Sequence, residues 1–368
     1  MTRILVATDA WRPQVNGVVR SLENLAEAAL GFGAKIEFLT PRDFYHVPMP
    51  TYPEIDLAVA TPRAVARRVG EDCDHVHIAT EGPVGLAARR ACLRLGRCFT
   101  TSYHTRFPEY IQVRTGLPTS LAYCYLRWFH NAGDGVMVAA ASVARELSER
   151  GFQRILRWSR GVDHEVFRPA ASPLFEFPRP IFLYAGRLAV EKNVEAFLSL
   201  DLPGSKLVAG DGPARPWLQQ QFPNAHFLGM KTSAELAALY SGADVLVFPS
   251  RTDTFGLVLV EAMACGLPVA ALPVAGPLDV VGSSGAGVLS EDLRAAALAA
   301  LAIDRRIPRA HAANFTWRAC ARQFLDNIAI ARSVKVLGEA GRRRLAPRET
   351  DANFWMGRRS SREKAAGR

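Results

Sequence analysis

The chain has 368 residues and a formal net charge of +10, with 49% hydrophobic and 22% charged residues. That length is too great for one ordinary core and suits two domains of roughly 150–200 residues. The composition excludes collagen, coiled coil and wholesale disorder. The charge is unevenly placed: residues 1–170 carry 21 Lys and Arg against 17 Asp and Glu, residues 171–331 carry 13 against 14, and residues 332–368 carry 11 against 4. A basic end of this kind is either a solvated tail or a contact for an anionic membrane leaflet, where each cation contributes roughly 1 kcal/mol. No basic-aromatic recognition module accompanies it, so nucleic acid is not an expected partner.

The apolar run at residues 4–7 is too short for a signal peptide, and Asp9 interrupts it. The longest uncharged stretch, residues 262–278, contains Pro268, Pro273 and Pro277 and falls short of the roughly 20 residues of a spanning helix. A soluble or peripherally bound protein is expected. The six cysteines include no CxxC pair, which argues for a reducing compartment and against a zinc site or a disulfide framework.

Along the chain, residues 4–7 read as a buried strand, 18–30 as a helix and 35–39 as the next strand. Further strand patterns lie at 57–60, 75–78, 98–101 and 135–138, with helical stretches between most of them. Apolar strands spaced by helices predict a parallel sheet covered on both faces. The pattern restarts at 181–185 and continues at 206–209, 225–228, 245–248 and 268–271. Between the two series, residues 169–180 hold Pro169, Pro173, Pro178 and Pro180, a linker by composition. The expected fold is α/β, with two Rossmann-like doubly wound domains over residues 1–170 and 171–315. A helix over 316–340, packing back on the first domain, and a basic tail over 341–368 complete the expectation.

In open parallel sheets, ligands bind beyond the carboxyl ends of the strands. After the first strand, Asn16-Gly17 precedes a helix, and Gly17 would let backbone amides approach a phosphate. After strand 181–185 come Gly186-Arg187 and Glu191-Lys192-Asn193. Arg187 offers a fork and Lys192 a point charge, a pairing that suits a diphosphate. Gly210-Asp211-Gly212-Pro213 follows the next strand. It lacks the third glycine of a dinucleotide fingerprint, which disfavours a Rossmann dehydrogenase. Asp253 lies just ahead of a helix and Glu261 within it, seven residues intervening. Two carboxylates so placed suit sugar hydroxyls better than an anion. Asp72-Cys73-Asp74 is a D-x-D, but it precedes strand 75–78 on the edge away from ligands, so no metal role is expected. The run 282–287 is glycine-rich with no following lysine and reads as a turn.

Taken together, Gly17, Gly186-Arg187 with Lys192, Gly210-Asp211-Gly212-Pro213 and Asp253–x7–Glu261 resemble the family-4 retaining nucleotide-sugar glycosyltransferases of GT-B fold, over roughly residues 1–335. The resemblance implies that Arg187 and Lys192 hold the donor diphosphate, helped by the backbone at Gly186, Gly210, Phe255, Gly256 and Leu257. It implies that Glu261 binds the ribose and Asp253 the sugar hydroxyls, with Asp standing where the family has Glu. His104 matches the family's histidine beside the donor sugar, and Gly17 would close on the diphosphate. The reaction then needs no tightly bound cofactor and no divalent metal.

The acceptor is expected on the first domain, with Glu81, Arg106 and Tyr110 as contacts. Arg63, Arg67 and Arg68 share one helix face, Arg89, Arg90, Arg94 and Arg97 cluster on another, and Tyr110, Tyr123, Tyr125, Trp128 and Phe129 follow His104. Basic and aromatic residues together suit a membrane interface. The chain resembles bacterial glycolipid synthases and α-mannosyltransferases. A UDP-linked hexose or uronic acid passed to a membrane lipid such as diacylglycerol is the first expectation. A uronic acid carboxylate would meet Arg106 or His104. GDP-mannose passed to a phosphatidylinositol-type lipid or a polysaccharide is the alternative. The expected location is the cytoplasm, peripheral at the inner face of the membrane. Rival readings are a sugar-nucleotide epimerase, a phosphorylase, for which no pyridoxal lysine is evident, and a non-catalytic nucleotide-sugar-binding protein.

Overall fold

A computed structural model of the chain describes residues 1–14, 16–49, 52–70, 73–171 and 176–345. The basic residues beyond 345 and Asp72 of the D-x-D lie outside the described residues. The first half carries β1 (Thr2–Ala7), β2 (Ala34–Leu39), β3 (His46–Met49), β4 (Tyr52–Ala58), β5 (His75–Ile78), β6 (Phe99–Tyr103), β7 (Gly135–Val138) and β8 (Ile155–Arg157). The second half carries β9 (Ile181–Ala185), β10 (Ser205–Ala209), β11 (His226–Gly229), β12 (Val245–Phe248), β13 (Val269–Ala271) and β14 (Gly287–Leu289).

The first sheet runs β2-β1-β5-β6-β7-β8 and the second β11-β10-β9-β12-β13-β14, with all pairings parallel. Strand order reverses between β1 and β5 in the first sheet and between β9 and β12 in the second, so each sheet opens a crevice at that point. Alternation along each strand feeds two cores. Leu5 and Ala7 join Val76, Ile78 and the helix Pro83–Arg94 on one face, while Ile4 and Val6 join Leu22 and Leu25 of the helix Gly17–Leu30 on the other. In the second sheet Leu183 packs with Leu259 and Met263, and Phe182 with Val194 and Phe197.

One expectation needs correction. Residues 57–60 do not extend the parallel sheet, since β4 pairs antiparallel with β3 in a separate hairpin. Pro48 and Pro53 in those strands lack the N–H a central ladder position needs. The sequence pattern places no strand at the edge strands β8 and β14, which are only partly buried and so carry no continuous buried apolar run.

The last helix, Trp317–Leu345, returns to the first lobe. Cys320, Ala321, Phe324 and Ile328 bury against Ile4, Val6 and Trp158. Asn327 donates to Arg157 O at 2.7 Å, and Gln323 accepts from Ser159 N at 2.7 Å. A fully buried aromatic such as Phe324 contributes about 1.5–3 kcal/mol to this docking. The chain thus crosses between the lobes twice, which ties them covalently at two places. No helix among the described residues is long and apolar enough to cross a membrane.

Candidate active site

The loops after β9 and β12 flank the crevice of the second sheet. Gly210 lets the two neighbouring turns meet backbone to backbone: a Cβ there, at φ +137°, would lie 1.9 Å from Gly186 O. Leu188 N donates to Asp211 O at 2.9 Å, which fixes the Gly186-Arg187 turn against the Gly210–Pro213 turn. Tyr184 hydroxyl donates to Arg187 O at 2.9 Å and holds the same turn from below. Arg187 itself is half-buried beside the crevice.

Lys192 leaves the next short turn and donates to Asp253 Oδ1 at 2.6 Å. Burial by itself pushes the Lys192 pKa down, but the Asp253 carboxylate with Tyr110 and Tyr184 outweighs it, and the ammonium is held well above its ordinary value. Asp253 Oδ2 is buried with no hydrogen-bond partner. Thr252 Oγ1 donates to Glu191 O at 3.1 Å and Asn193 Nδ2 to Pro249 O at 3.1 Å, so the two loops are sewn together on either side of this ion pair. Gly256, at φ +84°, makes the left-handed turn that starts the helix Leu257–Ala264. The first-turn amides of that helix, after the buried Phe255, point their partial positive charge toward the loop.

Glu261 sits within that helix and is 3% exposed. Its Oε1 pairs with Arg20 Nη2 at 2.8 Å, and Tyr240 hydroxyl donates weakly to Oε2 at 3.5 Å. Arg20 belongs to the first lobe, on the helix Gly17–Leu30, so this ion pair crosses between lobes. Gly17 opens the same helix and faces Leu257, whose Cδ1 would stand 3.4 Å from an added Cβ. Asn16 Oδ1 takes the amides of Val18 and Val19 at 3.0 Å each, so those two amides are satisfied within the first lobe.

His104 follows β6. Thr254 Oγ1 of the second lobe donates to His104 O at 2.7 Å. Arg160 donates to His104 Nδ1 at 3.0 Å, which assigns the ring proton to Nε2. Nε2 is buried without a partner. Burial, then the charge of Arg160, holds the imidazole pKa well below 6.5, so His104 is neutral. Arg160 is stacked on Trp158 at 4.0 Å, donates to Trp158 O and Ser159 O, and is pushed down to about 10 by burial.

The three acceptor candidates separate. Tyr110 reaches the donor crevice: it feels Lys192 and Asp253 and bonds the Thr252 side chain, and burial raises its pKa. Arg106 pairs with Glu146 at 2.5 Å and lies 3.9 Å from Glu109, so its charge is already matched within the first lobe. A second carboxylate from a uronic acid would have to compete for it. Glu81, 9% exposed, meets His130 Nε2 at 3.1 Å, and its carbonyl accepts from Tyr125 hydroxyl at 2.7 Å. It stands at the crevice of the first sheet with Asp9, which accepts from Thr80 Oγ1, Val84 N and Gly85 N.

The arginine cluster also divides. Arg89 is buried under Trp128 and donates to Trp128 O and Phe129 O, and Arg97 donates to Cys73 O, so both are structural. Arg90 and Arg94 are exposed, as are Arg63 and Arg67. Tyr123 and Phe129 are buried, whereas Tyr125 and Trp128 face solvent. Asp74 accepts from Arg3 N at 2.8 Å, at the amino-terminal edge of the sheet. Among the described residues, no group of three His, Cys, Asp or Glu is arranged to hold a metal ion.

Two residues that join the lobes gave no signal in the sequence. Arg20 lies three residues after Gly17 on an amphipathic helix, where a cation ordinarily faces water. Asp279 of the second lobe accepts from the amides of Ala141 and Ser142 at 2.9 Å each and caps the helix Ala141–Glu149 of the first. Only the three-dimensional meeting of the lobes gives these side chains partners.

This site can hold a polar ligand between a cationic loop, a helix amino terminus and two carboxylates. Comparison with known proteins agrees. The family model described as Glycosyltransferase Family 4 matches residues 15–166, and that described as Glycosyl transferases group 1 matches residues 179–304. A GDP-mannose-dependent alpha-mannosyltransferase of Mycobacterium tuberculosis is 30% identical over 318 residues, covering 78% of this chain and 83% of that protein. An alpha-monoglucosyldiacylglycerol synthase of Streptococcus pneumoniae is 25% identical over 321 residues, covering 73% of this chain and 70% of that one. A sucrose-phosphate synthase from Thermosynechococcus elongatus superposes with a TM-score of 0.67 at 21% identity, over 95% of this chain and all of that one, which supports the GT-B architecture. On its two matched halves and its relatives, the chain belongs to glycosyltransferase family 4 and is a hexosyltransferase.

Proposed function

We propose that this chain moves a hexose, with retention at the anomeric carbon, from a nucleotide-diphosphate sugar to a membrane lipid. The observation that carries the reading is the cluster of Lys192 and Asp253 with Tyr110, where the second lobe's cation and carboxylate meet a first-lobe hydroxyl. In this reading Arg187, Lys192 and the amides from Phe255 to Leu257 bind the diphosphate. The bond from C1 to the phosphate oxygen breaks with its electron pair going to the diphosphate. Those cations and amides stabilise the charge as it develops, the largest kind of single catalytic contribution. The acceptor hydroxyl oxygen bonds C1 on the same face and passes its proton to the departing diphosphate oxygen, so no protein base is required. His104 and Asp253 orient the sugar, Glu261 the ribose. The cations supply the neutralisation that a divalent metal gives elsewhere, so chelators should leave the rate unchanged.

For the donor, GDP-mannose is favoured by the name of the Mycobacterium tuberculosis relative, the more similar of the two relatives. A UDP-hexose is the second reading, favoured by the diacylglycerol named for the Streptococcus pneumoniae relative. For the lipid, support comes from exposed apolar side chains on the two helices that follow His104 in the chain: Phe107 on Phe107–Thr115 and Leu121, Tyr125 and Trp128 along one face of Thr119–His130 are 43%, 67%, 39% and 50% exposed, and Arg90 and Arg94 are exposed on the helix Pro83–Arg94. Aromatic rings with flanking cations suit the headgroup level of an anionic bilayer. The test supplies radiolabelled GDP-mannose or UDP-glucose with liposomes containing phosphatidylinositol or diacylglycerol. Label should enter the lipid from one donor. Turnover of neither donor, or turnover that Lys192→Met leaves unchanged, would overturn the reading.

A further inference from the structure

Glu261 lies inside an apolar helix turn, between Val260 and Ala262, and a carboxylate buried there needs a counter-charge. The second lobe brings it a hydroxyl at 3.5 Å from Tyr240 and the Cys265 thiol nearby. The cation comes from the other lobe: Arg20 Nη2 stands 2.8 Å from Oε1, with side-chain exposures of 31% and 4% for Arg20 and Glu261. Arg20 is further placed by Ser233 Oγ at 3.4 Å and by the Phe167 ring, 5.9 Å from its guanidinium. Its helix begins against Leu257, at the start of the very helix that carries Glu261. A solvated helix cation would have none of these constraints.

We propose that Arg20 is a positioning residue of the donor site, which holds the Glu261 carboxylate in the form and orientation that accepts ribose hydroxyls and so makes nucleotide binding depend on contact between the lobes. The inference rests on the reading that Glu261 binds ribose. A carboxylate accepts hydrogen bonds with all its lone pairs, whereas the neutral acid also donates and presents fewer acceptors. Burial raises the Glu261 pKa, and Arg20 is the leading influence that opposes the rise, ahead of Tyr240. Loss of the guanidinium therefore shifts Glu261 toward the neutral acid. The planar guanidinium on Oε1 also restricts the carboxyl orientation, which an ammonium does only in part.

The experiment titrates the full chain with GDP and with UDP by calorimetry, over about pH 6 to pH 8.5. The variants are Arg20→Met, Arg20→Lys, Glu261→Gln and the Arg20→Met/Glu261→Gln double variant, each checked for a native melting transition. Arg20→Met should weaken the better-bound nucleotide by about tenfold or more at the acid end. The deficit should shrink as pH rises and Glu261 loses its proton. Arg20→Lys should recover most of the affinity, and Arg20→Met should add nothing to Glu261→Gln. If Glu261→Gln weakens binding while Arg20→Met matches the parent at every pH, the inference fails and the ribose reading stands. If Glu261→Gln is without effect, the ribose reading fails and takes the inference with it. A deficit in Arg20→Met that is constant with pH and adds to that of Glu261→Gln would mark Arg20 as packing alone and would also overturn the inference.

Discussion

Replacing Lys192 by methionine keeps the buried stem and deletes one ammonium, a clean perturbation because the rest of the loop is held by backbone contacts. That ammonium donates to Asp253 Oδ1 at 2.6 Å, and the two side chains are 19% and 18% exposed. Two costs follow. In the ground state Asp253 loses its counter-charge while its other oxygen already has no partner. Breaking a buried pair from one side costs about 3–5 kcal/mol, and partial exposure puts this pair at the lower end. In the transition state the leaving diphosphate loses one preorganised cation, worth about 10²–10³ in kcat. The two costs separate in a Lys192→Met/Asp253→Asn double variant, which leaves no unpaired charge. Its urea midpoint should return toward that of the parent, while single-turnover transfer at saturating donor stays slow. A Lys192→Met protein that retains kcat within about threefold of the parent would refute the assignment of Lys192 to the departing charge.

Other parts of the structure give equally direct expectations. Gly210→Ala forces a methyl to within 1.9 Å of Gly186 O at a φ that L-residues avoid, so destabilisation of about 2–4 kcal/mol is expected in chemical denaturation, with loss of donor binding because the Arg187 turn must shift. Asp279→Ala removes an interlobe cap from two amides; a drop of about 1–2 kcal/mol is expected by calorimetry, only partly restored by Asp279→Asn because its single amide oxygen can accept from one of the two, and an unchanged melting temperature would contradict the cap. Burial, with the charges of Arg332 and Arg97, pushes His75 from an ordinary 6.5 down to about 3. The folded chain then refuses a proton that the unfolded chain accepts, so this contribution is intact above about pH 6.5 and is lost as pH falls toward 3, at about 1.4 kcal/mol per pH unit. His75→Gln should flatten the acid side of the stability profile by about one proton, and an unaltered slope would count against a neutral buried His75.

The doubly wound pattern was legible because buried parallel strands print as short apolar runs, and 135–138, 181–185 and 245–248 coincide with β7, β9 and β12. The donor loops were legible for the same reason: glycines and charged residues directly after such strands have few other places to go. Hidden from the sequence was everything that depends on two lobes meeting. Tyr110 reads as an acceptor contact within the first domain, yet it reaches Lys192 and Asp253 of the other lobe. Arg89 reads as one of four arginines on a basic face, yet its guanidinium lies 3.8 Å from the Trp128 ring centre and its charge is spent on two carbonyls. Spacing along one helix assigns a face; it does not say whether solvent or a neighbouring element covers it.

The aspartate at position 253 is the clearest departure from the family pattern, and its surroundings give it a physical reading. With one methylene fewer than glutamate, its carboxylate stays close to the loop, and one oxygen is committed to Lys192 at 2.6 Å. The other is buried and unpartnered, a condition that costs about 1–3 kcal/mol unless a donor meets it. On the first lobe His104 Nε2 is also buried and unpartnered, and it carries the proton. The two residues stand on either side of one junction, because Thr254, next to Asp253, donates to the His104 carbonyl. One lobe thus offers an unpaired acceptor and the other an unpaired donor. A hydroxyl is both at once, and a hexose presents several, so a single sugar can satisfy both lobes where a diphosphate or a simple carboxylate cannot. In the proposed reading a longer carboxylate at 253 would shift the acceptor relative to the His104 donor, so Asp253→Glu should change the preference among hexose donors, and an unchanged preference in a donor-panel assay would contradict it.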